Sequence, residues 1–416
     1  MSALAVGSSR VIPQTRQAEG RRGRKPVAHS DSTPLKRDDL LAAVIKITPT
    51  LIAGAAMSDM LGRLADDSVN ALRTNGLWRL RLCQELGGLE LPIVDQIEII
   101  AALAAEDAST AWCTMIANDA IAVIGATMTT ATIDRVFAND VPVCSIVAAP
   151  GGVANPVEGG YRLSGTWRLA SVIHHADWIH ATAFIDRDPS RPLPVVIPAR
   201  DIEILDTWNV VGLGGTGSND FRLTDYFLPN ELAGREEDPL GQLRGQRRYD
   251  RVDVEHLESY EHLAFAIGIS RRALRELRLV LAKPVIGRHL ADRELVQEQF
   301  GRSLLRLHAI EALALSLYRR IDAAALGGPQ SWRASERYLP RTLAAQASEL
   351  ALECVQFAFR RAGSASLHRP NIFEKLMRDM SVAATHIVVD DAAFAAFAQH
   401  VIETGDPFLQ PAEVDR

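Results

Sequence analysis

The hydrophobic pattern of this chain changes period twice, and that double switch constrains the fold more than any other feature. From residue 40 to about 140 apolar residues recur at helical spacing, with runs such as Ile99-Ile100-Ala101-Ala102-Leu103-Ala104-Ala105 that predict buried helix. From 141 to about 229 short β-branched or aromatic runs are separated by Gly, Asp, Asn and Pro, which predicts strands at 143–148, 160–164, 178–185, 195–198 and 220–228. The helical period then returns to about residue 403, in segments near 256–283, 290–325, 334–362 and 372–402 whose lengths suit a four-helix bundle. The expectation is an α+β chain: a disordered tail at 1–36, an N-terminal helical domain at 37–140, a central β domain at 141–235 and a C-terminal bundle at 236–416. No internal repeat is present, which removes solenoids.

Several function classes drop out on composition. With 47% apolar and 23% charged residues and a net charge of -6, the chain has a globular balance and no broad attraction for nucleic acid. Cys83, Cys113, Cys144 and Cys354 are far apart and contain no CxxC pair, which argues against a zinc knot or a disulfide framework and for a reducing cytoplasm. No uninterrupted run of 18 apolar residues occurs, and the basic cluster Arg21-Arg22-Gly23-Arg24-Lys25 is not followed by a signal-peptide core, so neither membrane insertion nor export is expected. His174, His175 and His180 cluster, but adjacent side chains on an extended segment point to opposite faces, so no metal is expected there.

Gly212-Leu-Gly-Gly-Thr-Gly217 fits the G-x-G-x-x-G pattern of dinucleotide loops, whose chemistry requires a helix N-terminus at the exit. Here Ser218-Asn-Asp-Phe-Arg-Leu-Thr-Asp-Tyr-Phe-Leu-Pro229 follows, an alternating β-like segment, so the glycines are expected to shape a tight loop and not to bind a pyrophosphate.

Together with the helix–β–helix order, three stretches resemble the acyl-CoA dehydrogenase-like flavoprotein superfamily: Gly159-Gly-Tyr-Arg-Leu-Ser-Gly-Thr-Trp167, Asp206-Thr-Trp-Asn-Val-Val-Gly-Leu-Gly-Gly-Thr-Gly-Ser218 and Glu374-Lys-Leu-Met-Arg-Asp379. The resemblance spans about 40 to 403 and implies a flavin against the β module and a homotetramer. Within the superfamily, medium-chain-type dehydrogenases take their base from a Tyr-Glu-Gly-Thr stretch after an Arg-Asp pair; carried onto Arg378-Asp379, that interval lands on Ile387, which cannot remove a proton. A histidine about seven residues past Arg-Asp is instead what the two-component, reduced-flavin-dependent monooxygenases carry, the hydroxyphenylacetate and dibenzothiophene enzymes among them, and His386 stands there.

What that resemblance implies is a monooxygenase that uses reduced FMN or FAD from a separate flavin reductase and O2 to oxygenate a small aromatic or amine substrate. His386 would deprotonate substrate or hydrogen-bond the oxygenated flavin, and Ser171, four residues after Trp167, would donate to flavin N5. Trp167, Thr216, Ser218 and Arg378 are the further cofactor candidates, and Trp112 and Asn118, on the stretch Ser109-Thr-Ala-Trp-Cys-Thr-Met-Ile-Ala-Asn118, the substrate-pocket candidates. Relatives often place a histidine near Asn118 and an arginine near Gly214, and this chain departs from both. The residues alone leave plainer roles open: His386 shares a helical face with Val382 and Val389 as a packed histidine would, and Ser171 could merely end a strand.

One feature favours the dehydrogenase branch. Isovaleryl-type enzymes take their base ten residues before the glycine of a motif like Ala266-Ile-Gly268, which here is Glu258, in the polar run Glu255-His-Leu-Glu-Ser-Tyr-Glu-His262. An acyl-CoA dehydrogenase or oxidase with Glu258 as base is therefore the second reading, against a plain helix-start glutamate, and a flavin-free scaffold is the third.

Overall fold

The structure, a computed structural model, describes residues 35–234, 248–250, 252–285, 288–332 and 334–405. The expected tail, apart from residues 35 and 36, and the charged connection through Arg235-Glu236-Glu237-Asp238 and Arg247 lie outside the described residues.

Five helices precede the sheet: α1 (Arg37–Leu61), α2 (Asp66–Thr74), α3 (Ile93–Ala104), α4 (Ala108–Thr127) and α5 (Thr130–Val136). Their ends follow from local chemistry. Asp107 caps α4 by accepting from Thr110 N at 2.8 Å, and Gly62 ends α1 in the left-handed region at φ 62. By length and apolarity α1 alone among the described single helices could cross a membrane, although its sequence lacks a continuous apolar run. Its inner residues Leu40, Val44, Ile47 and Leu51 pack into the helical core, while Ile45, Ile52 and Met60 face outward.

The six-stranded sheet contains β1 (Cys144–Val157), β2 (Gly160–Ala170), β3 (Trp178–Ile185), β4 (Pro192–Pro198), β5 (Glu203–Leu205) and β6 (Asn219–Pro229), in the order β4-β3-β1-β2-β6-β5. Only β1 and β3 run parallel; the other neighbours are antiparallel. β1 continues through Gly151-Gly152 because the Trp167 ring lies across them: a Cβ at Gly152 would come within 2.5 Å of that ring. The loop glycines at 214–217 form a short 3-10 turn that leads into β6, so the dinucleotide pattern has no helix behind it.

After the sheet come α6 (Tyr260–Leu281), the short pair β7 (Pro284–Val285) and β8 (Arg288–His289), then α7 (Glu294–Ala325), α8 (Leu339–Ala362), α9 (Ile372–Ala383) and α10 (Ala392–Thr404). The helices on the two sides of the sheet share one apolar core, whose tightest seam is Gly268 of α6 against the Ala101 carbonyl of α3, where a Cβ would sit 2.3 Å from the oxygen.

The segment expected as one helix over 372–402 is broken. An 86° bend separates Ile372–Ala383 from Ile387–Thr404, with a 3-10 turn at Ile387–Val389. The break has identifiable causes. Ile387, Val388 and Val389 are three β-branched residues in a row. His386 caps the turn, its Nδ1 accepting from Val388 N at 3.4 Å, and Arg341 of α8 donates to the carbonyls of Ile387 and Val388 at 2.8 and 3.2 Å. His386 is therefore a turn residue, not one on a helical stripe with Val382 and Val389.

Candidate active site

The three family-like stretches converge on one corner of the sheet. At the end of β2 the backbone turns sharply, with Leu169 and Val172 both at φ 63; a β-branched residue there is uncommon and costs roughly 1–2 kcal/mol. Val172 N donates to Thr216 O at 3.0 Å and Ser145 Oγ to Ser171 O at 2.7 Å, which fixes the turn and places Ser171 beside the 206–218 loop.

That loop is in turn held by α9. Asp379 accepts from Leu213 N at 2.7 Å, Arg378 donates to Val211 O at 3.1 Å, and Gly212 lies so close to the Arg378 carbonyl that a Cβ would be 2.2 Å from it. Lys375, nearly buried, joins Asp379 at 2.9 Å and Asp59 at 3.1 Å. Burial opposes the Lys375 charge, but Asp379, Asp107 and Asp59 outweigh it and raise its pKa.

The loop and the β2 turn meet through a chain of hydroxyls whose direction can be read residue by residue. Thr216 donates its one proton to Leu213 O at 2.8 Å, so it must accept from Ser218, 2.8 Å away. Ser218 has then spent its proton, so across the 2.7 Å contact with Ser171 the donor is Ser171. Trp112 Nε1–H donates to Ser171 Oγ at 3.2 Å, leaving Ser171 one lone pair and no proton. Ser171 can accept a further hydrogen bond but cannot give one, which reverses the polarity expected from the sequence.

Trp112 also carries the site into the helices. Its ring stands edge-on to His262 at 5.3 Å, Phe265 at 5.4 Å and His386 at 5.8 Å, and the His262 and His386 rings stack at 4.3 Å with 26° between planes. Because Val388 N–H points at His386 Nδ1, the neutral ring carries its proton on Nε2. Burial lowers the pKa of His386, and burial together with a charge on His386 holds His262 well below the ordinary histidine range. Both imidazoles are neutral at physiological pH.

The structure therefore brings the sequence candidates Ser171, His386, Trp112, Thr216 and Ser218 together and adds His262, which was not among them. The signal was present: 262 and 265 are one helical turn apart on α6 and both meet Trp112.

Other candidates fall elsewhere. Trp167 is fully buried in the sheet core, donating to Thr182 O at 2.7 Å and stacking on Phe221 at 5.1 Å, so no surface remains for a cofactor. Asn118 has spent its side chain on backbone: Nδ2 donates to Leu77 O and Thr114 O, both at 2.9 Å, and Oδ1 accepts from Leu80 N at 2.6 Å. It pins the 77–81 segment to α4 and has no donor left for a substrate. Arg378 clamps the loop: Glu374 holds its guanidinium at 2.7 Å, Asp59 lies 3.6 Å from it, and it donates to Val211 O at 3.1 Å. Glu258 sits in a 3-10 turn before α6 with its side chain 50% exposed, 3.4 Å from His256 and four residues ahead of His262, outside the hydrogen-bonded and stacked group of Ser171, Trp112 and His386. Among the described residues no group of three or more His, Cys, Asp or Glu could hold a metal ion.

The acceptor-only Ser171 fits a reduced flavin better than an oxidised one, since N5 carries a hydrogen only in the reduced ring.

Comparison with known proteins agrees with this arrangement. Residues 260–391 match the family described as acyl-CoA dehydrogenase, C-terminal domain. A pigment production hydroxylase from a Rhodococcus species is 26% identical over 396 residues, covering 90% of this chain and 100% of its own. The oxygenase subunit HsaA of a flavin-dependent monooxygenase from Rhodococcus jostii is 35% identical over 193 residues, covering 44% of this chain and 48% of its own, so the match spans about half of that relative. Among solved structures, XiaF from a Streptomyces species in complex with FADH2 and glycerol has a TM-score of 0.77 at 24% identity, covering 90% of this chain and 97% of that one. The chain thus carries a match to the acyl-CoA dehydrogenase C-terminal domain over residues 260–391, and as a whole it resembles the oxygenase components of two-component flavin-dependent monooxygenases.

Proposed function

We propose that the protein is the oxygenase component of a two-component monooxygenase, receiving reduced FMN or FAD from a separate flavin reductase and using O2 to oxygenate a small aromatic or amine substrate. The observation that carries this reading is the hydroxyl chain ending in an acceptor-only Ser171 with Trp112 and the His386 and His262 pair beside it. Bound reduced flavin and O2 supply the electrons and the transferred oxygen. The chain's own part is to accept from the flavin N5–H at Ser171 and to offer His386 Nε2–H to an oxygen on the substrate side. A neutral His386 can also serve as a base toward a phenol or an aromatic amine in its other tautomer, with the proton on Nδ1 and the Nε2 lone pair toward the substrate, at the cost of its bond from Val388. The hydroxylase and monooxygenase names of the relatives support the same reaction class.

Three further assignments belong to this reading. A homotetramer is supported by apolar side chains left exposed on α7, namely Leu295, Leu305 and Leu313, and on α1. A cytoplasmic setting is supported by the four cysteines being free and buried. The division into an N-terminal helical part, a central β part and a C-terminal helical bundle is supported by the placement of the elements, with the bundle's fourth segment bent at His386.

The test is to mix the protein anaerobically with reduced FMN or FAD, then with O2, and follow absorbance and product over a panel of phenols and aromatic amines. An oxygen-dependent transient that oxidised flavin alone does not show, followed by an oxygenated product, is expected. Free reoxidation of the flavin without transient or product would overturn the reading.

A further inference from the structure

We infer that His262 is a positioning residue for His386: its ring backs that of His386, fixes it against Trp112, and keeps the two imidazoles from holding a proton each. The inference rests on the oxygenase reading above for its consequence, but on this chain's own geometry for its content. The rings are nearly parallel at 4.3 Å, inside the range of aromatic stacking, and both meet the same Trp112 ring edge-on. His262 is buried, at 8% exposure, with its ring enclosed between His386 and Trp112. The face of its ring lies on the face of His386, so it limits the tilt that His386 can adopt.

The charged groups around the pair are few. On α8, Arg341 reaches the turn of His386, but its guanidinium is taken by Asp390 at 2.7 Å and by the Ile387 and Val388 carbonyls. On α6, the neighbouring Glu261 turns to Tyr260 at 3.1 Å and Arg81 at 3.4 Å. From α4 the pair meets the uncharged Trp112, and through it the Ser171 hydroxyl. None of these is bonded to either imidazole, so nothing offsets the repulsion that a second proton would meet at stacking distance. The first proton goes to His386, the less buried ring, and His262 stays neutral behind it as an uncharged plate. Held that way, His386 keeps Nε2 on the side away from Val388 N, where a substrate oxygen can be met repeatedly in one geometry.

The proposal is tested first on the flavin-free protein by imidazole NMR across pH 4 to 8. One ring of the pair is expected to titrate while the other stays neutral, and His386→Asn should raise the apparent pKa of His262. Two independent titrations, or a His262 unmoved by His386→Asn, would overturn it. The second arm measures product formed per reduced flavin consumed. His262→Ala should lower this coupling several-fold with reduced-flavin affinity within about twofold of the parent, while His262→Phe, which keeps a flat ring behind His386, should restore most of it. Equal coupling in all three proteins would refute the positioning role. If the NMR outcome holds but even the parent protein forms no product, the oxygenase reading fails and the pairing of the two histidines stands.

Discussion

Ser218 is two bonds from any ligand that Ser171 could touch, yet its replacement should change which redox form of the flavin binds. In the parent, Ser171 gives its proton to Ser218 over 2.7 Å, because Ser218 has given its own to Thr216 over 2.8 Å and Thr216 has given its own to Leu213 O over 2.8 Å. An oxidised flavin presents a lone pair at N5 and meets a Ser171 lone pair; a reduced flavin presents N–H and is accepted. In Ser218→Ala the Ser171 proton has no internal acceptor and turns to the ligand, so Ser171 becomes able to donate. One net hydrogen bond is worth about 1 kcal/mol, or roughly fivefold in binding. The oxidised form should therefore bind about fivefold tighter to Ser218→Ala, the reduced form within about twofold of the parent, and the preference for reduced flavin should shrink by the same factor. Equilibrium titration of oxidised flavin by fluorescence and of reduced flavin by anaerobic ultrafiltration measures both constants. If the two forms weaken together, the hydroxyls only pack; if the ratio is unchanged in a folded variant, the direction assigned to the chain is wrong.

Four other expectations follow from the same geometry. His386→Gln should lower the rate of product formation by about 10²-fold or more while reduced flavin still binds, and a loss of under about threefold would remove His386 from the chemistry. Glu258→Gln, at a half-exposed residue paired with His256, should leave turnover within about twofold; a large loss would favour the dehydrogenase base. Asp379→Ala strips Lys375 of its closest counterion and Leu213 N of its acceptor, and should cost about 3–5 kcal/mol in urea unfolding, with a loss below about 1 kcal/mol counting against the clamp. Burial lowers His175 and His180 from 6.5 to about 4, so the unfolded chain takes up protons there that the folded chain refuses. Stability is then complete above pH 6.5 and declines as the pH falls toward 4, at up to about 1.4 kcal/mol per pH unit for the fully buried His180. His180→Gln should flatten that slope, and an unchanged slope in urea midpoints would refute it.

The periods that separate helix from strand were legible because burial on one face repeats along the chain, as in α1, α9 and the start of β6. They failed where a contact from elsewhere decides the backbone. Gly151-Gly152 reads as a turn, yet it continues β1 because Trp167 from β2 occupies the space that side chains would need. The three-residue β5 is too short to show an alternation, and residues 384–391 look helical until Arg341 and His386 claim their carbonyls and amides. At the site, spacing singled out Ser171 and His386 but could not say that Asn118 is consumed by backbone, that Arg378 is held by Glu374 and Val211 O, or that Trp167 faces the sheet core. Hydrogen-bond supply is a property of the assembled structure, and so is the stacking of His262 on His386.

Strain explains why the site is assembled from three separated stretches. Leu169, Val172 and Leu213 adopt left-handed conformations at φ 63, 63 and 55, none of them glycine, and each costs roughly 1–2 kcal/mol that its own sequence does nothing to recover. Two tertiary bonds hold them: Val172 N to Thr216 O for the β2 turn, and Leu213 N to Asp379 for the loop. The hydroxyl chain begins at the strained Leu213 and ends at Ser171, next to the strained Val172, so both ends lie where these bonds restrain the backbone. Losing Asp379 should therefore reach beyond stability: once Leu213 is free to leave the left-handed region, Thr216 loses its acceptor, the direction of the chain is no longer imposed, and the preference for reduced flavin should fall in Asp379→Ala as it does in Ser218→Ala. The two losses should not add in the double variant, because both remove the same constraint on the Ser171 proton.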